Sequence, residues 1–382
     1  MKCLYFREDT RLSKHIEELI KKELPDSDSY ILPREVRHES FNVLRERQRK
    51  EIAERLVQRD FDFVFSVGYF HELSSFCQMI GCIYISWIVE LPNLDMFRNS
   101  ITNKCNCIFV ADSFWVDWLK QRGVEQAYFM PAAAYKAERS LNFAEYEVSF
   151  IGWYPKMKTT SPFYQLLKVS LPCKGYLDGL VHTQRVIHGR EIVSNSIIPQ
   201  VREELLKYDP IRVPPDVILN IDEIYTWFEI FPQVIRQEQE LFFRDFPGTV
   251  SVFNGQQAEE KIKYPVYPYP KDEEIGDIIA STDINMHLPN RYYIHGMDPL
   301  FFEILSRGGF MITPKIKDME EYFEDEKDLF VLDRVTGIRD IMDKIKKDYD
   351  YDKKDALGDR VYQKIKEGHT YDIRIKQLIK MI

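Results

Sequence analysis

Residues 283–313 contain the strongest candidate for a ligand site in this sequence. The pattern predicts a strand, a polar loop ending in Gly296 and Met297, a helix with Asp298 as its N-cap and Pro299 at its first position, and a second strand. A helix N-terminus presents unpaired N–H groups and the positive end of the helix dipole. The loop and helix start therefore predict a phosphate site.

Glu303 lies five residues into the same helix, so its carboxylate is about 7 Å along the axis from the N-terminal amides. That separation is close to the one between a diphosphate and the ribose hydroxyls of the same nucleotide. A charged side chain among apolar neighbours usually needs a partner, and the neighbours here are Leu300, Phe301, Phe302, Ile304 and Leu305. The sequence favours a nucleotide-binding Glu303 over the alternative, a core helix with a partly exposed acid.

Two polar residues follow predicted strands in the first part of the chain. His71 comes after the strand that ends at Gly68, and Glu90 comes after the strand that contains Trp87. Ligands of parallel sheets bind beyond the carboxyl ends of the strands, so we expect His71 and Glu90 to share a cleft. The alternative for His71 is an ordinary surface or helix-terminal histidine.

Three other segments contain candidates. The loop with Gly152, Trp153 and Lys156 could bind phosphate through its amides and its lysine, or be an ordinary turn. The proline-rich segment around Tyr267 favours a loop that passes a nucleotide base, with Tyr267 stacking on it, over a ligand for an SH3-type domain. The acidic run at residues 348–352 resembles a metal-binding Asp-x-Asp motif, but its charged surroundings favour a solvated face.

The elements that must position these residues alternate between strands and helices. Strands are predicted at residues 2–6, 61–67, 82–89 and 107–111, and again at 148–152, 250–253, 284–288 and 310–313. Helices are predicted between them, and a last helix at about 355–381. This alternation predicts α/β domains with parallel sheets. Residues 161–247 instead predict a mostly helical insertion.

Length and composition limit the function classes. With 382 residues, 45% hydrophobic, two globular domains are expected. The net charge of −9 argues against a nucleic-acid binder. The sequence predicts neither a signal peptide nor an integral membrane segment, which favours a cytoplasmic protein. The six cysteines have no C-x-x-C pair, which favours free thiols over a zinc site.

The sequence resembles GT-B glycosyltransferases, specifically the CgeB-like group related to spore-maturation proteins. The matching segments are Gly296 to Thr313, Val148 to Gly152, Ile284 to Met286 and His369 to Tyr371. The resemblance extends from about residue 60 to the end and is most specific from Glu303 to Gly309.

The resemblance implies a GT-B fold, with two Rossmann-like parallel-sheet domains facing a cleft and the helical insertion in the second. The implied domains are 1–140 on the acceptor side, 141–360 for the nucleotide sugar, and a helix at 361–382 that crosses back to the first. The implied reaction is metal-independent, cofactor-free transfer from a nucleotide-diphosphate sugar, most simply a UDP-sugar, to a protein or glycan acceptor. Donor contacts are expected from Gly152, Trp153, Lys156, Tyr267, Arg291, His295, Gly296, Met297, Asp298 and Glu303, and a general base from Glu90 or His71.

The sequence departs from the family pattern at three points. His295 stands where many retaining enzymes have Glu, Leu300 stands where relatives have a phosphate-binding Arg, and Glu90 replaces an Asp. Arg291 or Lys156 would have to supply the missing cation. Two other functions therefore stay open: a nucleotide-sugar epimerase, and a subunit that binds a nucleotide sugar without turning it over.

Overall fold

A computed structural model describes residues 1–31, 46–58, 61–139, 144–155, 169–208, 213–255, 264–332 and 337–381. Its strands are β1 (Cys3–Arg7), β2 (Asp28–Ile31), β3 (Phe63–Val67), β4 (Ile83–Ile88), β5 (Asn106–Val110), β6 (Ala127–Phe129), β7 (Tyr146–Ile151), β8 (Ser251–Phe253), β9 (Val266–Tyr267), β10 (Thr282–Met286), β11 (Met311–Pro314) and β12 (Phe330–Leu332). Its helices are α1 (Arg11–Glu23), α2 (Glu46–Gln58), α3 (His71–Ile80), α4 (Ser113–Lys120), α5 (Leu171–Val186), α6 (Pro199–Tyr208), α7 (Ile221–Tyr225), α8 (Phe231–Asp245), α9 (Asp272–Ala280), α10 (Pro299–Ser306), α11 (Ile338–Asp348), α12 (Tyr351–Gly368) and α13 (Tyr371–Met381).

The chain divides into two compact units. Unit 1 contains residues Met1–Lys136, Pro215–Ile218 and Lys366–Ile382, and unit 2 contains Ala137–Pro214 and Leu219–Ile365. The sequence-based domains were 1–140, 141–360 and 361–382, so the junctions differ by a few residues. The segment 215–218 belongs to unit 1 although it interrupts the insertion.

Unit 1 is built on a parallel sheet with the order β2-β1-β3-β4-β5-β6 in the described residues. α1 and α13 pack on one face of this sheet, where Ile16, Tyr371 and Ile375 meet Trp87 and Phe109. Most side chains of the inner strands β1, β3, β4 and β5 are apolar and buried, so this part of the sheet is covered on both faces, as is usual for parallel sheets.

Unit 2 is built on a second parallel sheet, with the order β12-β11-β10-β7-β8-β9 in the part of the chain that is described. The strand order runs outward from β7 to β9, then reverses, because β10 pairs with the other side of β7. Ligands of open α/β sheets bind at such a reversal. The loops after β7 and β10 therefore form the topologically expected site of this unit.

The last helix predicted from sequence is two helices. The helix is interrupted at His369 and Thr370, where Thr370 forms a parallel β-bridge with Ala134. The Ala134 N–H donates to the His369 carbonyl (2.9 Å) and the Tyr371 N–H donates to the Ala134 carbonyl (3.1 Å). These long-range hydrogen bonds replace helical ones, so a pattern based on local periodicity alone could not predict the break.

Candidate functional site

The start of α10 has the structure that the sequence predicts. Asp298 is the N-cap with extended backbone, its side chain accepts the N–H of Phe301 at 3.0 Å, and Pro299 is the first helical residue. The helix ends at Ser306, and Gly308 has the left-handed φ of +72°. α10 thus begins beyond the carboxyl end of β10, at the strand reversal of unit 2.

Asp298 also belongs to a buried chain of hydrogen bonds that connects three elements. His287, directly after β10, contacts Asp298 Oδ1 through Nε2 at 3.0 Å and Thr313 Oγ1 of β11 through Nδ1 at 2.9 Å. Although burial raises the pKa of the Asp298 carboxyl, His287 and the N–H groups of Phe301 and Asn290 outweigh it, so the pKa is lowered. The carboxylate is tied to the helix amides and fixes the loop.

The loop residues before α10 are buried. Met297 is fully buried, so its side chain is part of the core and only its main chain can face a ligand. His295 contacts the Gly189 carbonyl through Nε2 at 3.1 Å, and its own carbonyl accepts the Asp318 N–H at 2.9 Å. His295 therefore anchors the segment that contains Gly296 rather than projecting from it.

Arg291 was predicted as a phosphate-binding cation, and the structure gives its guanidinium other partners. It donates to His188 Nδ1 (2.6 Å), to the carbonyls of Ile187 (2.8 Å) and Gln184, and its Nε lies 3.7 Å from Glu238 Oε2. Arg291 is buried and connects the loop to α5 and α8. These contacts make it a clamp between the loop and the insertion.

Glu303 is half-buried, in the second turn of α10, between the buried Phe302 and Ile304. It is thus neither in the core nor fully in solvent. The glycines after α10 are sterically required. A Cβ on Gly309 would lie 2.9 Å from the Ile304 carbonyl oxygen, and one on Gly308 would lie 3.0 Å from the Gly358 oxygen of α12.

The loop after β7 lies at the same reversal of the sheet. Gly152 donates its N–H to the Phe253 carbonyl at 3.1 Å, and a Cβ there would meet the Phe150 ring at 2.2 Å. Trp153 is 49% exposed, and its carbonyl accepts Gln239 Nε2 at 2.9 Å. Lys156 lies outside the described residues, so its predicted phosphate contact stays a prediction.

Tyr267 ends the short edge strand β9, which the sequence had suggested to be a loop. Its ring stacks on Phe253 with centroids 4.7 Å apart and planes at 17°, and it meets Tyr146 edge-on at 6.3 Å. The side chain is 37% exposed. One face of the ring is therefore covered, and only the remainder could stack on a base.

In unit 1, His71 and Glu90 follow β3 and β4, neighbouring strands of the sheet. His71 is the first residue of α3 and is half-buried, whereas Glu90 is exposed. Both occupy the positions that the sequence predicted, at the carboxyl edge of the sheet.

The sequence analysis missed a buried acid beside them. Asp95 lies in a 3₁₀ turn, Leu94–Phe97, is only 3% exposed and accepts the His71 N–H through Oδ2 at 3.4 Å. Burial raises its pKa to about 7, while the His71 N–H and Arg98 lower it and Glu72 raises it. A perturbed carboxyl at a strand end is typical of functional sites. The turn signal Leu-Pro-Asn was visible in the sequence, but the burial of Asp95 was not.

Within the described residues, we looked for metal-binding clusters and for membrane-spanning helices. No group of three or more His, Cys, Asp or Glu side chains among these residues could hold a metal ion, and the acids at 348, 350 and 352 are exposed. No helix in the described ranges is long and apolar enough to cross a membrane.

Residues 240–380 match the model of a family described as glycosyl transferase-like. No curated protein sequence matches the chain. Among solved structures, Anabaena HepE in complex with UDP-glucose matches with a TM-score of 0.54 and 9% identity, over 100% of this chain and 98% of that one.

Two further structures cover this chain completely. T4 phage BGT in complex with UDP-glucose has a TM-score of 0.52, 7% identity and 99% of its own chain covered. Sucrose-phosphate synthase from Thermosynechococcus elongatus has a TM-score of 0.52, 6% identity and 98% covered. The predicted two-domain α/β fold of the GT-B type is confirmed. Over residues 240–380 the chain is similar to a glycosyl transferase-like family, in agreement with the predicted glycosyltransferase activity.

Proposed function

We propose that this glycosyl transferase-like chain moves a sugar from a nucleotide-diphosphate sugar, with UDP as the nucleotide, to a hydroxyl of a protein or glycan, without a metal ion or other cofactor. One observation carries the proposal: the capped start of α10 lies at the strand reversal of unit 2, with Glu303 one and a half turns further along. HepE and BGT, which share the fold, were solved with UDP-glucose.

In this proposal the diphosphate is bound by the main chain around Gly296 and by the positive end of α10, and Glu303 accepts hydrogen bonds from the ribose hydroxyls. Repulsion between the Asp298 carboxylate and the diphosphate is reduced, because one carboxylate oxygen already accepts the Phe301 N–H and contacts His287. Gly152, Trp153 and Lys156 complete the donor site, with Tyr267 beside the base.

Transfer requires stabilisation of the leaving diphosphate and a group that takes the acceptor proton. The helix terminus performs the first task without a metal. We assign the removal of the acceptor proton to Glu90 or His71, at the carboxyl edge of the unit 1 sheet. Within the GT-B proteins we assign the chain to the CgeB-like group, on Glu303, Gly308–Gly309 and His369–Tyr371. We also propose a cytoplasmic location. An acceptor other than nucleic acid fits the net charge of −9.

A thermal-shift experiment with UDP, GDP, CMP and TDP tests the donor site, because a ligand that binds only the folded state raises its melting temperature. UDP at about 100 times its Kd should stabilise the chain by about 2.7 kcal/mol. Glu303→Ala should lose most of this shift and keep the melting temperature of the free protein. Glu273→Ala is the matched control, since Glu273 is exposed on α9.

An unchanged UDP shift in Glu303→Ala would refute the ribose role. The same samples, incubated with UDP-glucose and no acceptor, separate the remaining functions. Slow release of UDP supports transfer. Conversion of UDP-glucose to UDP-galactose would indicate an epimerase. Binding without turnover would indicate a non-catalytic subunit, an alternative that is consistent with the contacts of Arg291 with the insertion instead of a phosphate.

A further inference from the structure

The C-terminal end of α3 in unit 1 has a cysteine on each side of its glycine cap. Gly81 has the left-handed φ of +72° and donates its N–H to the Cys77 carbonyl. The Cys82 N–H donates to the same carbonyl at 3.0 Å. The second bond is that of a Schellman motif, in which the side chains of the two residues that it joins usually meet. The cap therefore turns the two thiols toward each other.

The backbone geometry at the cap suits a disulfide. With the N···O distance of 3.0 Å, standard bond lengths limit the separation of the Cys77 and Cys82 Cα atoms to about 7 Å, and any bend along this path shortens it. Disulfides join Cα atoms about 4.4–6.8 Å apart. The two thiols are also in hydrogen-bonding contact with each other. A bond between the two sulfurs thus requires side-chain rotation and little movement of the backbone.

The two thiols differ in exposure and acidity. Cys77 is fully buried, whereas Cys82 is half-buried, one residue before β4. Hydrogen bonding to Cys82, together with burial, raises the pKa of the Cys77 thiol. The same contact lowers the pKa of Cys82, with help from the backbone of Val64 and against the effects of burial and Asp62. Since the thiolate is the nucleophile, Cys82 is the thiol that attacks first and Cys77 the one that follows.

Two further cysteines interact with Cys82, but more weakly than Cys77 does. Cys105 donates its thiol to the Ser74 carbonyl at 3.5 Å, and burial raises its pKa to about 11. Cys3 is fully buried in β1, and burial raises its pKa as well. Both interact with Cys82 through charge, whereas Cys77 is in hydrogen-bonding contact with it. Cys77 is therefore the partner that the geometry favours.

We propose that Cys77 and Cys82 are a site of reversible oxidation, at which a small-molecule disulfide such as oxidised glutathione is reduced and a Cys77–Cys82 disulfide forms. Disulfides in a reducing compartment are usually transient and redox-sensing, which agrees with the proposed cytoplasmic location. Neither cysteine takes part in the proposed transfer reaction, so the two proposals stand or fall separately.

The exchange takes place in two displacement steps. The Cys82 thiolate attacks one sulfur of the small disulfide, whose sulfur–sulfur bond breaks with its electron pair leaving on the first glutathione thiolate. The Cys77 thiol then loses its proton and attacks the Cys82 sulfur of the mixed disulfide, which releases the second glutathione thiolate. The two released thiolates take up the two protons that the protein thiols lose. Two cysteines are oxidised and one small disulfide is reduced to two thiols.

The new bond would close a very short loop between α3 and β4. A cross-link that closes a short loop removes little conformational entropy from the unfolded chain. The backbone hydrogen bond between Cys82 and Cys77 already joins the same two points in the reduced chain. The oxidised and reduced chains should therefore have the same secondary structure, and the bond should act as a reversible modification.

The test treats the full chain with oxidised glutathione and alkylates it without reduction. In the wild type, mass spectrometry should find the peptide with both Cys77 and Cys82 lighter by two hydrogens and closed to alkylation. Cys77→Ala removes the second thiol, so glutathione should stay on Cys82 at a level at least about tenfold above wild type. Cys82→Ser should prevent both products, because Cys77 is fully buried. Cys105→Ser is the matched control and should give the wild-type disulfide.

Circular dichroism checks that each variant is folded, and Cys77→Ser, closer in volume to cysteine, replaces Cys77→Ala if the smaller side chain destabilises the buried site. Dithiothreitol should restore both thiols. Wild-type chain that retains glutathione on Cys82 as persistently as Cys77→Ala would overturn the proposal. So would a disulfide from Cys82 to Cys105 or Cys3, a modification that dithiothreitol does not reverse, or a folded wild type in which Cys82 forms neither product. The UDP thermal shift measures the proposed transfer function separately.

Discussion

Two buried aspartates occupy equivalent places in the two units, and they have opposite properties. Asp298 and Asp95 each lie beyond the carboxyl end of a parallel strand and beside the first turn of a helix. The pKa of Asp298 is lowered, although burial raises it, because His287 and two N–H groups contact the carboxylate. Within the described residues the Asp95 carboxylate accepts one long hydrogen bond, and burial raises its pKa to about 7.

The difference shows that the hydrogen bonds of a buried acid, rather than its place in the fold, decide whether it keeps its charge. With partners supplied by the protein, the Asp298 carboxylate is held in one position and stabilises the loop before α10. Asp95 Oδ1 is buried and has no hydrogen-bond partner among the described residues, so burial dominates its pKa.

The largest expected effect is on the donor side. Asp298→Ala should lower the free energy of unfolding at pH 7 by roughly 3–5 kcal/mol, because it removes the cap of α10 and leaves the Phe301 N–H and His287 Nε2 buried without partners. Urea unfolding monitored by circular dichroism measures it.

The control for this prediction is Asp340→Ala, an exposed acid in the first turn of α11, which should cost less than about 1 kcal/mol. Since the folded-state pKa of Asp298 is lowered, its contribution is present above about pH 4 and is lost as the pH falls further. A difference between the two variants that persisted unchanged at pH 3 would contradict the role of its charge.

The same contrast explains which site residues the sequence could predict. The cap at Asp298 and the glycine exit depend on neighbours within about ten residues, so local patterns predict them. The partner of Asp95 is His71, which lies 24 positions earlier in the sequence. Burial that depends on such a distant residue produces no local sequence pattern. The sequence could not predict the contacts of Arg291, because its partners, His188 and two carbonyls on the insertion, lie more than 100 residues earlier.

The fold was more predictable than the site, because apolar runs identify buried parallel strands. The strands missed were short or at sheet edges, such as β6, β9 and β12. They contain two or three residues each, too few to establish a period. The segment 215–218 in unit 1 likewise has no sequence signal apart from Pro215.

Asp95→Asn should have the opposite sign to Asp298→Ala. A carboxyl whose folded pKa is raised favours the folded state at low pH and opposes it increasingly as the pH rises from about 4 to 7. The neutral asparagine side chain avoids this cost, so the variant should be more stable than wild type by about 4 kcal/mol at pH 8 and equal to it at pH 3.5. Melting temperatures across this range measure it, and a variant less stable at pH 8 would show that Asp95 is structural.

The half-buried His188 tests whether the contacts of Arg291 with the insertion depend on pH. Burial lowers the pKa of His188 to about 3, with the neighbouring Arg291 adding to the effect. The unfolded chain binds the proton first, so stability should fall as the pH drops below about 6.5. His188→Gln should remove about 2 kcal/mol of that loss at pH 5, in unfolding curves recorded at pH 7 and 5. Exposed His182→Gln is the control, and equal acid sensitivity in both variants would exclude His188 as the cause.

The smallest effect on stability should come from the ion pair that connects the insertion to the Asp95 turn. Asp216 is 49% exposed, so solvent screens its interaction with Arg98, and Asp216→Asn should cost less than about 1 kcal/mol. Its influence should instead be visible in the pKa of Asp95. Without Asp216, the Arg98 charge is not neutralised and lowers the pKa of Asp95 further. The stability gain of Asp95→Asn at pH 8 should therefore be smaller in the Asp216→Asn background, because the folded-state pKa of Asp95 is then closer to its unfolded value. A loss above about 2 kcal/mol in Asp216→Asn with no such reduction would mean that the segment supports the turn mechanically, and the contrast between the two aspartates would then depend on backbone support rather than charge.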